Sequence, residues 1–225
     1  MYEWSEEHLA IREAMRRFVE EEVMPHIDEI EHEGVPPYDI IRKLYSTFGM
    51  DEMARESFKR ALERKQAGED GRPERRGGSA AMQIIPTIEL CRVSPGLVTS
   101  MGVSSGLAGG TIMKGGTPAQ MERWGLDLMT FDKVGAWAIT EPDSGSDAIG
   151  GMRTTAVRDG DEYVINGSKT WITNGPYADT IVLYVKLDEG DGTDIRNRKV
   201  LTFILDSGME GLTQSKPMRK MGQKS

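Results

Sequence analysis

Apolar side chains recur at helical spacing through the first half of the chain. Ile11 and Phe18 fall on the same face of a helix that Ser5 is placed to cap, and Pro25 ends or kinks that helix. A second amphipathic helix is predicted to start near Pro37. The pattern therefore favours a helical N-terminal region.

Predicted helices continue as far as Met129. A charged helix over residues 52–67 is followed by a linker rich in glycine and arginine over 68–78. A dense apolar run over 82–91 predicts a buried helix. The residues TPAQ at 117–120 are typical of a helix start, because they combine a threonine cap, a proline in the first turn and a glutamine that completes a capping box.

The periodicity then changes to short runs that predict β-strands. These runs are 134–140, 152–158, 163–165, 169–173, 180–187 and 200–205. Asp159-Gly160 and Asn166-Gly167 are typical of two-residue hairpin turns. We therefore predict a multidomain α and β protein: an all-α domain over 1–132, then an antiparallel β-barrel-like or sandwich domain over 133–225.

Composition narrows the functional classes. The formal net charge is −8, which argues against a nucleic-acid-binding surface. Cys91 is the only cysteine, so an intrachain disulfide is impossible, and neither it nor the spacing of the three histidines predicts a metal site. No apolar run is long enough to span a bilayer, and the N-terminus carries no apolar signal core, so a cytoplasmic protein is expected.

A polar loop follows the first predicted strand. The segment Trp137–Asp147 reads WAITEPDSGSD. Gly145 permits close approach of the backbone, while Ser144, Ser146 and neighbouring N–H groups could cradle an anion such as a pyrophosphate. The alternative is an ordinary polar turn, since the same residue types dominate turns.

The segment Asn166–Gly175, NGSKTWITNG, brings an aromatic ring and a hydroxyl together. In the predicted strand, Trp171 and Thr173 lie two residues apart and so point to the same side. An indole beside a hydroxyl suits a flat heteroaromatic ring, which the first packs against and the second hydrogen-bonds. The alternative is a tryptophan buried in a β core.

Taken together, the motifs WAITEPDSGSD, DGDEYVINGSKTWITNG and KMGQKS, preceded by GGTPAQMERW, resemble the acyl-CoA dehydrogenases in order and spacing. The resemblance implies FAD as cofactor, an acyl-CoA substrate and dehydrogenation to a trans-2-enoyl-CoA in fatty acid metabolism. It also implies an electron-transfer flavoprotein as acceptor and a homotetramer. The family's fold continues with a C-terminal four-helix domain.

The resemblance also implies site residues. Those implied to bind FAD are Trp137, Ile139, Thr140, Gly145, Ser146, Trp171, Ile172 and Thr173. Trp171 would pack beside the isoalloxazine, with Thr173 near its reactive nitrogen, and Ile139 and Thr140 would meet the polar edge of the ring. The residues implied to contact acyl-CoA are Ser146, Asn197 and Arg198.

The family's catalytic glutamate belongs to the C-terminal domain, so the base is expected beyond Ser225 and these residues alone are expected to be inactive. Glu141 is assigned to the framework of its loop. The charged segment over about 51–79 replaces a compact stretch of the family, either as an insertion that alters substrate range or as a surface excursion.

Two other functions stay open at this point. The chain could be a non-catalytic flavin- or acyl-CoA-binding subunit that needs a partner chain. Alternatively, the same fold could serve a flavin oxidase or monooxygenase. Downstream sequence that places a glutamate over the flavin would favour the dehydrogenase.

Overall fold

The computed structural model describes residues 4–69 and 80–223. The linker predicted over 68–78 lies outside these ranges from residue 70 onward. The α-helices are α1 (Glu6–Phe18), α2 (Tyr38–Thr47), α3 (Met50–Gln66), α4 (Ala80–Cys91), α5 (Pro95–Met101), α6 (Gly110–Gly115), α7 (Pro118–Gln120) and α8 (Leu126–Met129). Turns of π-helix cover Val19–Val23, Glu29–Glu33, Gly102–Gly109 and Met121–Gly125, and a 3₁₀ turn covers Met24–His26.

The helix starts follow the capping signals. The Ser5 side chain accepts a hydrogen bond from the His8 N–H, and Thr117 forms a full capping box with Gln120. Pro25 does not stop the helical path, because it sits in the first turn of the 3₁₀ segment, where a missing N–H costs little. The helical core contains Met15, Phe18, Val19, Val23, Ile41, Leu44, Tyr45, Leu90, Leu97, Phe131 and Val134.

A five-stranded sheet follows the helices. Its strands are β1 (Gly135–Ala138), β2 (Thr155–Asp159), β3 (Glu162–Asn166), β4 (Thr180–Asp188) and β5 (Val200–Asp206). β5 pairs along one edge of β4, and β1 and β2 pair in succession along the other. The β2–β3 and β4–β5 pairs are antiparallel, but β1–β4 and β2–β4 are parallel. The sheet is therefore mixed, and the prediction of a wholly antiparallel domain is wrong.

The segment between β3 and β4 explains this difference. The Asp159-Gly160 hairpin forms as predicted, but Asn166-Gly167 makes no hairpin and 169–173 is not a strand. Gly167 has φ of 153°, and a Cβ there would lie 2.7 Å from the Thr154 Cα. The chain passes closely over Thr154 and returns across the sheet, so β4 enters parallel to β1 and β2. Alternating hydrophobicity indicates which face of a strand is buried, but it does not indicate whether the strand pairs parallel or antiparallel with its neighbours.

The two faces of the sheet have different neighbours. Trp137, Val182 and Tyr184 pack with Ala108, Ile112 and Leu128 of the helical region. The opposite face carries a separate apolar cluster that includes Ala136, Ala138, Ile181, Leu183 and Val185. A Cβ on Gly135 would lie 2.9 Å from the Ala108 Cβ, so this glycine lets β1 approach the helices closely.

Candidate functional site

The two sequence motifs meet side by side. The Thr170 N–H donates to the Thr140 carbonyl at 2.9 Å. Lys169 Nζ donates to the Ile139 carbonyl at 3.1 Å and to Glu141 Oε1 at 2.8 Å. The loop after β1 and the segment before Trp171 therefore form one connected unit.

Glu141 holds that unit together from within. Its carboxylate accepts hydrogen bonds from the N–H groups of Arg153 (2.6 Å) and Thr154 (2.9 Å) as well as from Lys169. Burial by itself would raise the pKa of Glu141, but the hydrogen bonds from Lys169, Thr154 and Arg153 outweigh it, so the pKa is lowered. A carboxylate with its acceptor positions occupied in this way supports the framework role and argues against a general base.

At the tip of the same loop, Ser144 does not take the position expected of a residue that cradles an anion. Ser144 is buried and its hydroxyl donates to the Asp147 carbonyl at 2.6 Å, so it closes the turn and does not face a ligand. Its backbone pairs reciprocally with Glu141. Gly145 and Ser146 are exposed, and nothing lies within 4 Å of a Cβ built on Gly145. The surface available to an anion is therefore formed by Gly145 and Ser146.

Trp171 stands on a sharp turn and is exposed. Its φ is 57° and 65% of the residue is accessible to solvent. A bulky residue in the left-handed region is strained, and such strain is concentrated at functional sites. The turn replaces the predicted strand, and the alternative of a tryptophan buried in the β core is wrong.

Asn174 anchors this turn to the helical region. It is buried with φ of 64°, and its Nδ2 donates to the carbonyls of Ser100 and Gly135, both at 2.9 Å. Tyr38 donates its hydroxyl to Asn174 Oδ1 at 3.3 Å. Burial raises the pKa of Tyr38, so the phenol stays protonated as a donor.

A cleft of about 740 Å³ opens beside the turn. Trp171, Ile172 and Thr173 line it together with Tyr38, Ala138, Tyr177 and residues 209–218. The other predicted cofactor contacts do not line this cleft: Trp137, Ile139, Thr140, Gly145 and Ser146. The structure therefore brings the two motifs together along their backbones, but of the predicted cofactor contacts only those of the second motif face the cleft.

The side chain of Trp137 is on the opposite face of the sheet. Its indole packs edge-on against Tyr184 at 5.2 Å between ring centroids and donates to the Tyr184 hydroxyl at 3.3 Å. Ala138, the next residue, lines the cleft. A contact between Trp137 and a ligand in the cleft would therefore involve its backbone, because alternate side chains of a strand face opposite sides.

The predicted acyl-CoA residues Asn197 and Arg198 lie on the loop between β4 and β5. Asn197 is exposed, but the Arg198 side chain is 17% exposed and bonds to Asp188 at 2.8 Å and to the Thr193 carbonyl at 3.1 Å. Arg196 projects outward instead, with Nη2 at 2.9 Å from Asp147. The loop thus touches the first motif through a residue that the sequence interpretation did not select.

The sequence interpretation also missed Tyr38, Lys169 and Asn174. Asn174 carried a usable signal, since asparagine before glycine tolerates the left-handed backbone of a turn. Tyr38 and Lys169 act across long sequence separations and carried none. Within the described ranges, no cluster of histidine, cysteine and acidic side chains is arranged to hold a metal, and no helix is long and apolar enough to cross a membrane.

Comparison with known proteins agrees with this architecture. Residues 5–132 match the acyl-CoA dehydrogenase N-terminal domain, and residues 136–225 match the acyl-CoA dehydrogenase middle domain. The chain is 37% identical over 220 residues to the caffeyl-CoA reductase-Etf complex subunit CarC of Acetobacterium woodii, covering 97% of this chain and 53% of that protein.

Solved structures of acyl-CoA dehydrogenases are similar to this chain over nearly its whole length. Butyryl-CoA dehydrogenase from Megasphaera elsdenii superposes with a TM-score of 0.71 at 27% identity, covering 100% of this chain and 54% of that one. An acyl-CoA dehydrogenase from Bacillus anthracis in complex with FAD gives a TM-score of 0.65 at 26% identity, covering 99% and 35%. The chain spans about half the length of the curated relatives it matches. By its two domain matches, the chain belongs to the acyl-CoA dehydrogenase family, whose members are FAD-dependent flavoproteins.

Proposed function

We propose that the protein catalyses flavin-dependent α,β-dehydrogenation of an acyl-CoA to a trans-2-enoyl-CoA, and that these two domains supply contacts to FAD and acyl-CoA. The observation that carries the proposal is the exposed Trp171, held at a strained backbone angle on a turn anchored by buried Asn174. A tryptophan that only fills a core would be buried, whereas this indole is exposed and open to contact with a ligand.

The residues present suit a flavin. Trp171 offers an indole surface and Thr173, two residues on, a hydroxyl, and both border a cleft large enough for a planar heterocycle. Gly145 and Ser146 offer an open backbone and a hydroxyl for a pyrophosphate. Ile139 and Thr140 are joined to the Trp171 segment through their carbonyls, so the two groups of contacts hold a fixed relation.

The roles of these residues follow from the chemistry. FAD, when bound, accepts the hydride equivalent that leaves the β-carbon of the acyl chain. Trp171 would orient the ring system, Thr173 would hydrogen-bond its edge, and Ser146 with Asn197 would hold the CoA portion. The α-proton needs a carboxylate base. Because the Glu141 carboxylate already accepts three hydrogen bonds from buried donors, we propose that a residue outside these two domains supplies the base.

A second candidate is the same chemistry in the opposite direction. The Acetobacterium woodii relative is named as a subunit of a caffeyl-CoA reductase-Etf complex, which favours enoyl-CoA reduction with an electron-transfer flavoprotein as redox partner. The site requirements are identical, because both directions pass through the same transition state. The homotetramer and the cytoplasmic location stay predictions.

The test is a titration followed by an anaerobic assay. We expect the chain to bind FAD saturably with a change in flavin fluorescence. Acyl-CoAs of several chain lengths should then perturb the flavin absorbance without bleaching it, because loss of a general base costs about 10² to 10⁴ in rate. Failure to bind FAD would contradict the proposal. Rapid bleaching with enoyl-CoA formation would place a base within residues 1–225.

A further inference from the structure

The turn that carries Trp171 is tied to the following segment by Gln214. The Gln214 Nε2 donates to the carbonyls of Gly175 at 2.8 Å and Ala178 at 3.0 Å. These bonds fix the point at which the chain leaves the turn. They do not involve the side chain of Asn174, which is buried in the turn at φ of 64° and needs partners of its own.

Tyr38 completes the hydrogen bonding of the Asn174 side chain. The Asn174 Nδ2 donates to two backbone carbonyls, so Oδ1 is the remaining polar atom of the amide. Of the residues that the structure describes, only Tyr38 donates to this oxygen, at 3.3 Å. Because a buried oxygen without a donor is costly, the hydroxyl stabilises the one orientation of the amide that holds the turn.

The ring of Tyr38 is placed for this contact by packing. Tyr38 is the first residue of α2 and is half-buried, and its ring centroid lies 6.0 Å from those of Phe131 and Tyr177. The residue also borders the cleft beside Trp171. Since these contacts belong to the ring, removal of the hydroxyl alone should leave the ring in place.

We propose that Tyr38 is a positioning residue for the flavin, which acts by holding the Trp171 turn through Asn174. The inference rests on the proposed function, because that function assigns the flavin to Trp171. The exposed Trp171 has φ of 57°, and a strained backbone of this kind persists only where its surroundings hold it. Loss of the hydroxyl should lower the fraction of chains that present the indole correctly, and FAD affinity should fall in proportion.

Tyr45 provides a matched control on the same helix. Its ring also packs on Phe131, at 5.8 Å between centroids, and its hydroxyl donates to Ser105 Oγ at 3.2 Å. Neither Tyr45 nor Ser105 lines the cleft. Tyr45→Phe therefore removes the same atom from a similar hydrogen bond, without altering the contacts of the Trp171 turn.

The test is a flavin fluorescence titration of the complete chain with FAD, together with the visible circular dichroism of the bound flavin. Tyr38→Phe should raise the dissociation constant about fivefold, the ratio that corresponds to about 1 kcal/mol for one net hydrogen bond. It should also change the circular dichroism, which reports the orientation of the flavin in its site. Tyr45→Phe should leave both measurements unchanged, although urea denaturation should show a similar loss of stability in the two variants.

Combination with Trp171→Ala determines whether Tyr38 acts through the turn. In that background Tyr38→Phe should have no further effect on FAD affinity, because the indole that it positions has been removed. An equal effect in both backgrounds would mean that Tyr38 contacts the flavin directly. Equal affinities for Tyr38→Phe and Tyr45→Phe would mean that the hydroxyl only stabilises the helices. Either result would overturn the inference while the proposed function stands, whereas a parent chain that does not bind FAD would overturn both.

Discussion

Two ion pairs tether the loop over residues 139–151, and they differ in burial, not in length. Glu141 and Lys169 are 2.8 Å apart with side chains 5% and 8% exposed, whereas Asp147 and Arg196 are 2.9 Å apart and 60% and 64% exposed. Coulomb energy at a given distance scales inversely with the effective dielectric, so water weakens the second pair far more. The buried pair therefore fixes its end of the loop more strongly than the exposed pair fixes the other end.

The largest expected effect comes from breaking the buried pair. Glu141→Gln should lower the free energy of unfolding by about 3 to 5 kcal/mol, because it leaves the Lys169 ammonium buried without a counter-charge. Urea denaturation followed by circular dichroism measures this. Adding Lys169→Met to Glu141→Gln should recover part of the loss. A loss below about 1 kcal/mol would mean that the two pairs are equivalent and that burial does not separate them.

The segment over residues 169–175 also combines a buried residue that anchors it, Asn174, with an exposed residue, Trp171. Asn174→Ala should cost about 2 to 3 kcal/mol, because it removes buried hydrogen bonds and because alanine tolerates the positive φ less well than asparagine. Asn174→Gly accepts that φ, so it should cost about 1 kcal/mol less. Equal losses for the two variants would show that the backbone angle carries no strain.

Lowering the pH should weaken the buried ion pair between Glu141 and Lys169. The folded chain lowers the pKa of Glu141, so the contribution of its ionised form is complete above the unfolded value of about 4.3 and is lost as pH falls through the folded pKa. The stability difference between the parent chain and Glu141→Gln should therefore shrink as the pH falls below about 4.3 and through the lower pKa of the folded chain. Glu89, whose pKa is lowered chiefly by its hydrogen bond with Arg16, titrates in both proteins and cancels in the comparison. A difference constant with pH would argue against an ionised Glu141.

The smallest stability effect is expected at the exposed pair. Asp147→Asn should change the free energy of unfolding by less than about 0.5 kcal/mol, because exposed ion pairs contribute little. The same urea titration measures it. A loss comparable to that of Glu141→Gln would mean that the exposed pair stabilises the loop as strongly as the buried pair does.

Sequence patterns predicted the local features of the fold well. Ser5 and Thr117 cap helices where their signals place them, and Asp159-Gly160 forms its hairpin, because each depends on neighbours within a few residues. The pairing of β4 with β1 and β2 depends on how the chain crosses the sheet after Gly167. That crossing is set by close contact with Thr154, which no local pattern encodes.

For the candidate site, too, the sequence predicted some features and missed others. The motifs located the Trp171 turn and the loop that ends at Asp147, but not the direction of individual side chains. Ser144 closes its own turn and Arg198 bonds inward, while Arg196 was overlooked beside it. Arg196 meets a partner in another segment of the chain, whereas Ser144 and Arg198 bond to residues close to them in sequence, and the motifs did not predict which side chains would do so.

The most direct test of the central claim is the FAD affinity of the Trp171→Ala chain, measured by flavin fluorescence titration. If the exposed indole packs against the flavin, the dissociation constant should rise about 2- to 13-fold, as expected from the 0.5 to 1.5 kcal/mol of an aromatic contact. Trp124→Phe is the matched control, since Trp124 bonds Asp206 on the helical side and should leave the affinity unchanged. An unchanged affinity in Trp171→Ala, or an equal loss in both variants, would contradict the assignment of this turn as the flavin contact.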